Sequence, residues 1–157
     1  MGVAGSGKTT VGRLLASEMK WPFADADDYH SAANVEKMRN GMPLTDEDRA
    51  PWLESLRVLI GSWIAAGEGG VLACSALKQA YRDRLMVGPE VRVVYLKGNQ
   101  ELFRDRLLGR HGHYMKESML DSQLAALEEP GDAIAVDAGL PAEEVVGEIR
   151  AALRTNV

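Results

Sequence analysis

The chain has 157 residues, 46% apolar and 26% charged, with a formal net charge of -5. That length makes one domain with a buried core, and the acidic balance speaks against a protein that captures nucleic acid through its overall field. A single cysteine, Cys74, excludes an internal disulfide, and no apolar run approaches the about 18 residues of a membrane span, so a cytoplasmic protein with no membrane partner is expected.

Met1 leads directly into Gly2-Val3-Ala4-Gly5-Ser6-Gly7-Lys8-Thr9, which matches G-x-x-x-x-G-K-[ST]. The glycines let the backbone curl until successive N–H groups point inward at phosphate oxygens, and the helix that follows adds the positive end of its dipole. That helix is readable from Val11, Leu14, Leu15 and Met19 on one face, which argues against the alternative of a flexible Gly/Ser linker. Lys8 can reach the β- and γ-phosphates and the Thr9 hydroxyl can ligate Mg²⁺, so Gly2 to Thr10, with Thr10 as the last member, form the candidate nucleotide site. A nucleoside triphosphate and Mg²⁺ are the implied ligands; the resemblance described below makes the nucleotide ATP.

"WPFADAD" then predicts a short strand ending in acids. Asp25 and Asp27 are two apart, so both carboxylates share a face at the strand's C-terminal end, where parallel sheets bind ligands. One acid can hold the shell of the Mg²⁺ ion while the other takes the proton of an acceptor hydroxyl. A solvated acidic turn is the bland alternative, disfavoured beside a phosphate loop. A helix is predicted over Asp48 to Ala66, with Thr45 as its cap and the glycines of 67–70 as its stop. "VLACS" (71–75) and "VRVVYL" (91–96) read as strands, with a helix over 76–86 between them.

Asn99 caps a further helix over Gln100 to Leu108. The polar, glycine-bearing stretch 109–118 reads as a mobile segment, after which Ser118 begins a helix through Leu120, Gln123, Leu124 and Leu127. "AIAVDA" (133–138) is a fourth strand, and Pro141 opens a terminal helix carrying Val145, Val146, Ile149 and Leu153. Alternating strands and helices of this kind predict the α/β class with a parallel sheet.

The blocks "NVEKMRNGMPLTDEDRAPWL" (34–53), "CSALKQAYRDRL" (74–85) and "GHYMKESMLDSQLAALEEP" (112–130), together with the loop and "DADDYH", make the chain similar to the gluconate kinases of the small P-loop type, relatives of shikimate kinases. The resemblance covers essentially residues 1–157 as a single P-loop kinase domain, a three-layer α/β/α fold with strand order 2-3-1-4-5 and a lid at about 106–118. It implies ATP-dependent phosphorylation of D-gluconate on its 6-hydroxyl, a small-molecule substrate, and a homodimer. A shikimate-type kinase and an inactive nucleotide-binding form are the alternatives. Carried onto this chain, Asp27 binds the acceptor hydroxyl, His30 and Ser75 line its pocket, and Arg49 and Lys78 are candidates for the substrate carboxylate. Thr9 and Asp25 are left as the metal-shell residues, since Cys74 and Ser75 stand where many P-loop proteins carry a metal-binding acid. Arg106 and Arg110, four apart, are candidates to meet the transferring phosphoryl group, with Lys8, Asp27 and Arg110 as the catalytic set. Each cation has a plainer reading: Arg49 as the neutraliser of an acidic helix start, Lys78 as a solvated side chain, the lid arginines as a basic helix end.

By the same resemblance a central strand should precede the loop, and it reads as missing from the chain. Its five or so buried apolar residues would contribute roughly 10 kcal/mol, comparable with the about 5–15 kcal/mol stability of a whole domain. The expectation is therefore that Met1 is the last residue of that strand, that the native start lies upstream, and that the two strand pairs on either side have no hydrogen-bonded bridge.

Overall fold

A computed structural model describes residues 1–109 and 114–155, with the backbone alone for 114–118. Arg110, His111 and His113 lie outside the described residues. The elements run α1 (Lys8–Met19), β1 (Phe23–Asp25), a 3₁₀ turn (Ala26–Tyr29), α2 (Ala32–Arg39), α3 (Asp46–Ala65) and β2 (Val71–Ala73). They continue with α4 (Gln79–Leu85), β3 (Val94–Lys97), α5 (Gln100–Leu108), α6 (Tyr114–Ala126), β4 (Ile134–Asp137) and α7 (Ala142–Thr155).

Helix α1 has no side-chain cap: Gly7 precedes it at φ 95, a left-handed conformation that only glycine adopts without strain. Helix α3 is capped conventionally, with Thr45 accepting from the Asp48 amide and Asp48 accepting from the Thr45 amide. That pairing holds the Asp48 carboxyl down at about 2, Thr45 first and Lys37 second. The sequence pattern missed α2, which a Ser31 cap starts and whose buried Asn34 donates to the Asp48 carbonyl at 2.9 Å. Helix α6 begins at Tyr114, four residues before the expected start at Ser118, so the second half of the expected mobile segment is helical backbone.

The four strands form two parallel pairs, β1 with β2 and β3 with β4. One core gathers Val11 and Leu15 of α1, Leu96, Phe103, Leu107, Leu120 and the inner face of α7; a second gathers Trp52, Leu53, Leu56 and Ile60 of α3 with Cys74, Ala76 and Leu85. Between β2 and β3 lies an apolar cavity of about 450 Å³, bordered by Met1, Leu72, Val94 and Leu96. The expectation of no bridge between the strand pairs is corrected here. Met1 donates its amino group to the Val94 carbonyl and accepts from the Leu96 amide at 3.0 Å, while the Gly2 amide donates to Ser75 at 3.4 Å. Met1 thus pairs with β3 as a strand residue would, and the phosphate loop begins where the halves meet.

Candidate active site

The phosphate loop is held from outside, leaving its inner face open. The Ala4 amide donates to Oε1 of Gln123 on α6 at 2.7 Å, and the Val3 carbonyl accepts from the Lys8 ammonium at 3.1 Å. Arg106 on α5 donates to the carbonyls of Gly5 (3.1 Å), Ser6 (3.4 Å) and Ala138. Arg106 thus reaches the loop through its oxygens, which point away from the curl. Ser6 is buried, and its hydroxyl has no hydrogen-bond partner among the described residues. The left-handed Gly5 and Gly7 and a helix start that no side chain caps are what a phosphate group needs, so the loop fits a nucleotide. A cavity of about 300 Å³ beside it, lined by Gly7, Thr10, Arg106, Ala138 and Leu140, has room for the nucleoside end.

At the head of α1 the Thr9 hydroxyl donates to Oδ2 of Asp25 at 3.1 Å. Two hard oxygen donors this close suit Mg²⁺, which prefers a few protein oxygens and keeps its remaining waters. The other oxygen of Asp25 accepts from the Asp27 amide at 3.0 Å, capping the 3₁₀ turn and setting Asp27 beyond the strand end. Asp27 is exposed, yet its carboxyl is raised above the ordinary carboxylate value, chiefly by desolvation and then by the neighbouring Asp25. A raised carboxylate pKa suits a proton acceptor better than a spectator charge.

Past Asp27 the acceptor side opens. His30 stacks on Trp52 with ring centroids 4.4 Å apart and an interplanar angle of 10°. Asn34 stands 3.3 Å from Nδ1 of His30, and Trp52 Nε1 donates to the Ala26 carbonyl at 2.7 Å. Burial lowers the His30 pKa, favouring the neutral ring. Arg49 donates to the Tyr81 hydroxyl at 3.2 Å and lies over its ring at 5.5 Å, while the Lys78 ammonium lies 5.8 Å from the same ring centre. The Ala76–Lys78 turn is held by Arg82, a buried cation donating to the carbonyls of Ala76, Leu77 and Glu128. Burial pushes the Cys74 thiol up to about 11, which removes it as a nucleophile.

A profile of the shikimate kinase family matches residues 4–154. A probable gluconokinase from Rattus norvegicus is 44% identical, the alignment covering 98% of this chain and 95% of that protein. The chain belongs to the gluconokinase family. Among solved structures, a gluconokinase from Sinorhizobium meliloti 1021 matches at a TM-score of 0.85 and 41% identity, over 99% of this chain and 89% of its own. A sugar kinase from Janibacter sp. HTCC2649 matches at a TM-score of 0.89 and 44% identity, over 98% and 91%.

For a gluconokinase, the grouping of expected site residues is informative. Gly2 to Thr10, Asp25 and Asp27 form one continuous edge, with Arg106 behind it. Arg49 and Lys78 both lie near the Tyr81 ring, His30 stacks on Trp52 of the helix that carries Arg49, and the Ser75 carbonyl accepts from the Gly2 amide. Three further residues lie inside the blocks that carry the resemblance without showing their roles there: Gln123 in 112–130, which looks like one more residue of α6, and Tyr81 and Arg82 in 74–85, which look like surface residues of α4. A buried arginine and a glutamine bonded 119 positions away are visible only after the chain has folded.

Proposed function

We propose that this chain transfers the γ-phosphoryl group of ATP to the 6-hydroxyl of D-gluconate, yielding ADP and 6-phospho-D-gluconate. The observation that carries the reading is identity above 40% with gluconokinases over nearly the full chain; two cations, Arg49 and Lys78, that both lie near the Tyr81 ring support it. In this reading the loop from Gly2 to Thr10 and the Lys8 ammonium grip the phosphates, and Thr9 and Asp25 hold Mg²⁺. The ion supplies charge neutralisation between the phosphates when bound. Asp27 orients the 6-hydroxyl and takes its proton as the O–P bond forms and the bond to ADP breaks. Arg49 and Lys78 bind the carboxylate at the far end of the substrate, a task a planar guanidinium performs with two hydrogen bonds. His30, backed by Trp52, and Ser75 shape the wall of the pocket.

Residues 1–157 are read as one kinase domain with a lid at about 106–118, in which Arg110 meets the transferring group. A cytoplasmic homodimer accompanies this reading through the family resemblance; among the described residues, no helix is long and apolar enough to cross a membrane. The test is a panel of acceptors with coupled detection of ADP and ³¹P assignment of the product. Gluconate-dependent ADP release with a 6-phosphate product is expected. Turnover of shikimate without turnover of gluconate would refute the proposal.

A further inference from the structure

The acceptor side brings two cations to one phenol. Arg49 and Lys78 both lie within 6 Å of the Tyr81 ring centre, at 5.5 and 5.8 Å. The electron-rich ring attracts each of them. Among the described residues, the carboxylate within ion-pair distance of Arg49 is Asp46, one turn earlier on α3, and it stands off at 3.7 Å. Asp46 is instead engaged by the Tyr81 hydroxyl, which donates to Oδ1 at 2.9 Å while accepting from Arg49 at 3.2 Å.

An aspartate and an arginine three apart on a helix ordinarily pair directly. Here the phenol hydroxyl sits between them, occupying the carboxylate oxygen that the guanidinium would take. We propose that Tyr81 is a positioning residue of the acceptor site: by holding Asp46 it keeps the Arg49 guanidinium available to a carboxylate on the substrate. The inference rests on the proposed carboxylate role of Arg49 and Lys78. It adds that discrimination for an acidic sugar depends on a residue that binds no sugar.

In Tyr81→Phe the ring remains and the hydroxyl goes. Asp46 then closes on Arg49, and a substrate carboxylate must compete with it. Loss of one hydrogen bond to a charged group corresponds to about a tenfold or greater rise in KM for gluconate, with kcat and KM for ATP held within about twofold. The decisive measurement is the double variant Tyr81→Phe/Asp46→Asn. Removing the competing carboxylate should return KM to within about threefold of the parent, because tenfold is only 1.4 kcal/mol.

A merely structural tyrosine predicts no such recovery, and a double variant as poor as Tyr81→Phe overturns the proposal. Arg49→Ala separates the two layers of inference. If it raises KM for gluconate and Tyr81→Phe does not, the tyrosine role falls and the carboxylate reading stands. If Arg49→Ala leaves KM unchanged, both fall. Should Tyr81→Phe fail to fold, Asp46→Asn alone serves: KM for gluconate stays level or drops, and a rise overturns the proposal.

Discussion

Replacing Gly5 by alanine tests whether the phosphate loop is seated against α5 or merely passes it. Gly5 sits at φ +83, and a Cβ there would lie 2.8 Å from the Phe103 carbonyl oxygen and 3.3 Å from the Phe103 Cα. Both atoms are helix backbone, so neither can rotate away, and the shorter contact is about 0.6 Å inside ordinary van der Waals separation. Left-handed strain contributes about 1–2 kcal/mol and the forced displacement about 1–3 kcal/mol more. Gly7 supplies the control. Its φ is +95, but its nearest neighbours would be at 3.8 Å, an ordinary contact, so Gly7→Ala carries the strain without the clash. At about 2–4 °C per kcal/mol for a chain of this size, Gly5→Ala should melt roughly 2–12 °C below Gly7→Ala. Thermal unfolding followed by circular dichroism, with and without a non-hydrolysable ATP analogue, reads both effects. Equal melting temperatures for the two variants would refute the packing argument.

Four further outcomes are expected. Gly61 lies inside α3, and a Cβ there would meet nothing within 4 Å, so Gly61→Ala should raise stability by about 0.5–1 kcal/mol, and an unchanged or lower melting temperature would contradict this. Asp27 must be ionised to accept a proton, so kcat/KM for gluconate should rise with pH along an acid limb centred above 3.8; a limb at or below that value would remove Asp27 from the role. A carboxyl raised in the folded state weakens the fold as pH climbs past its unfolded value, so Asp27→Asn should be more stable than the parent at pH 7, a gain that disappears below pH 3.8. Gln123→Ala should raise KM for ATP by about 2- to 10-fold through loss of one loop hydrogen bond while leaving KM for gluconate unchanged; equal rises in both would argue against a loop-specific tether.

The parts of the site legible in the sequence are those specified by local chemistry. The loop and α1 declare themselves because glycine spacing and helical periodicity are properties of neighbouring residues. Asp25 follows from its place at the strand end, and Thr45 and Asn99 from capping preference; Asp27 does not follow from strand alternation, because the strand stops at Asp25 and Asp27 lies in the 3₁₀ turn that Asp25 caps. Helix α2 is not legible, because its buried residue is Asn34, a polar side chain whose reason for being inside is the Asp48 carbonyl on another helix. The start of α6 is hard to place because glycines and charges ahead of Ser118 mask helical backbone that begins at Tyr114. His30 is ambiguous in the sequence and specific in the fold, where Trp52 supplies the flat surface it stacks upon. Arg106 is expected among the groups that face phosphate; its partners in the fold are carbonyls on the reverse of the loop.

That reverse position has an electronic consequence. A peptide unit whose oxygen is bound by a cation is polarised, and its own N–H becomes a stronger donor. Arg106 binds the Ser6 oxygen, and the peptide unit carrying that oxygen ends in the Gly7 N–H at the mouth of α1. The guanidinium therefore transmits part of its charge through one amide, sharpening the loop's pull on an anion without approaching it. The loop is a conductor as well as a cradle.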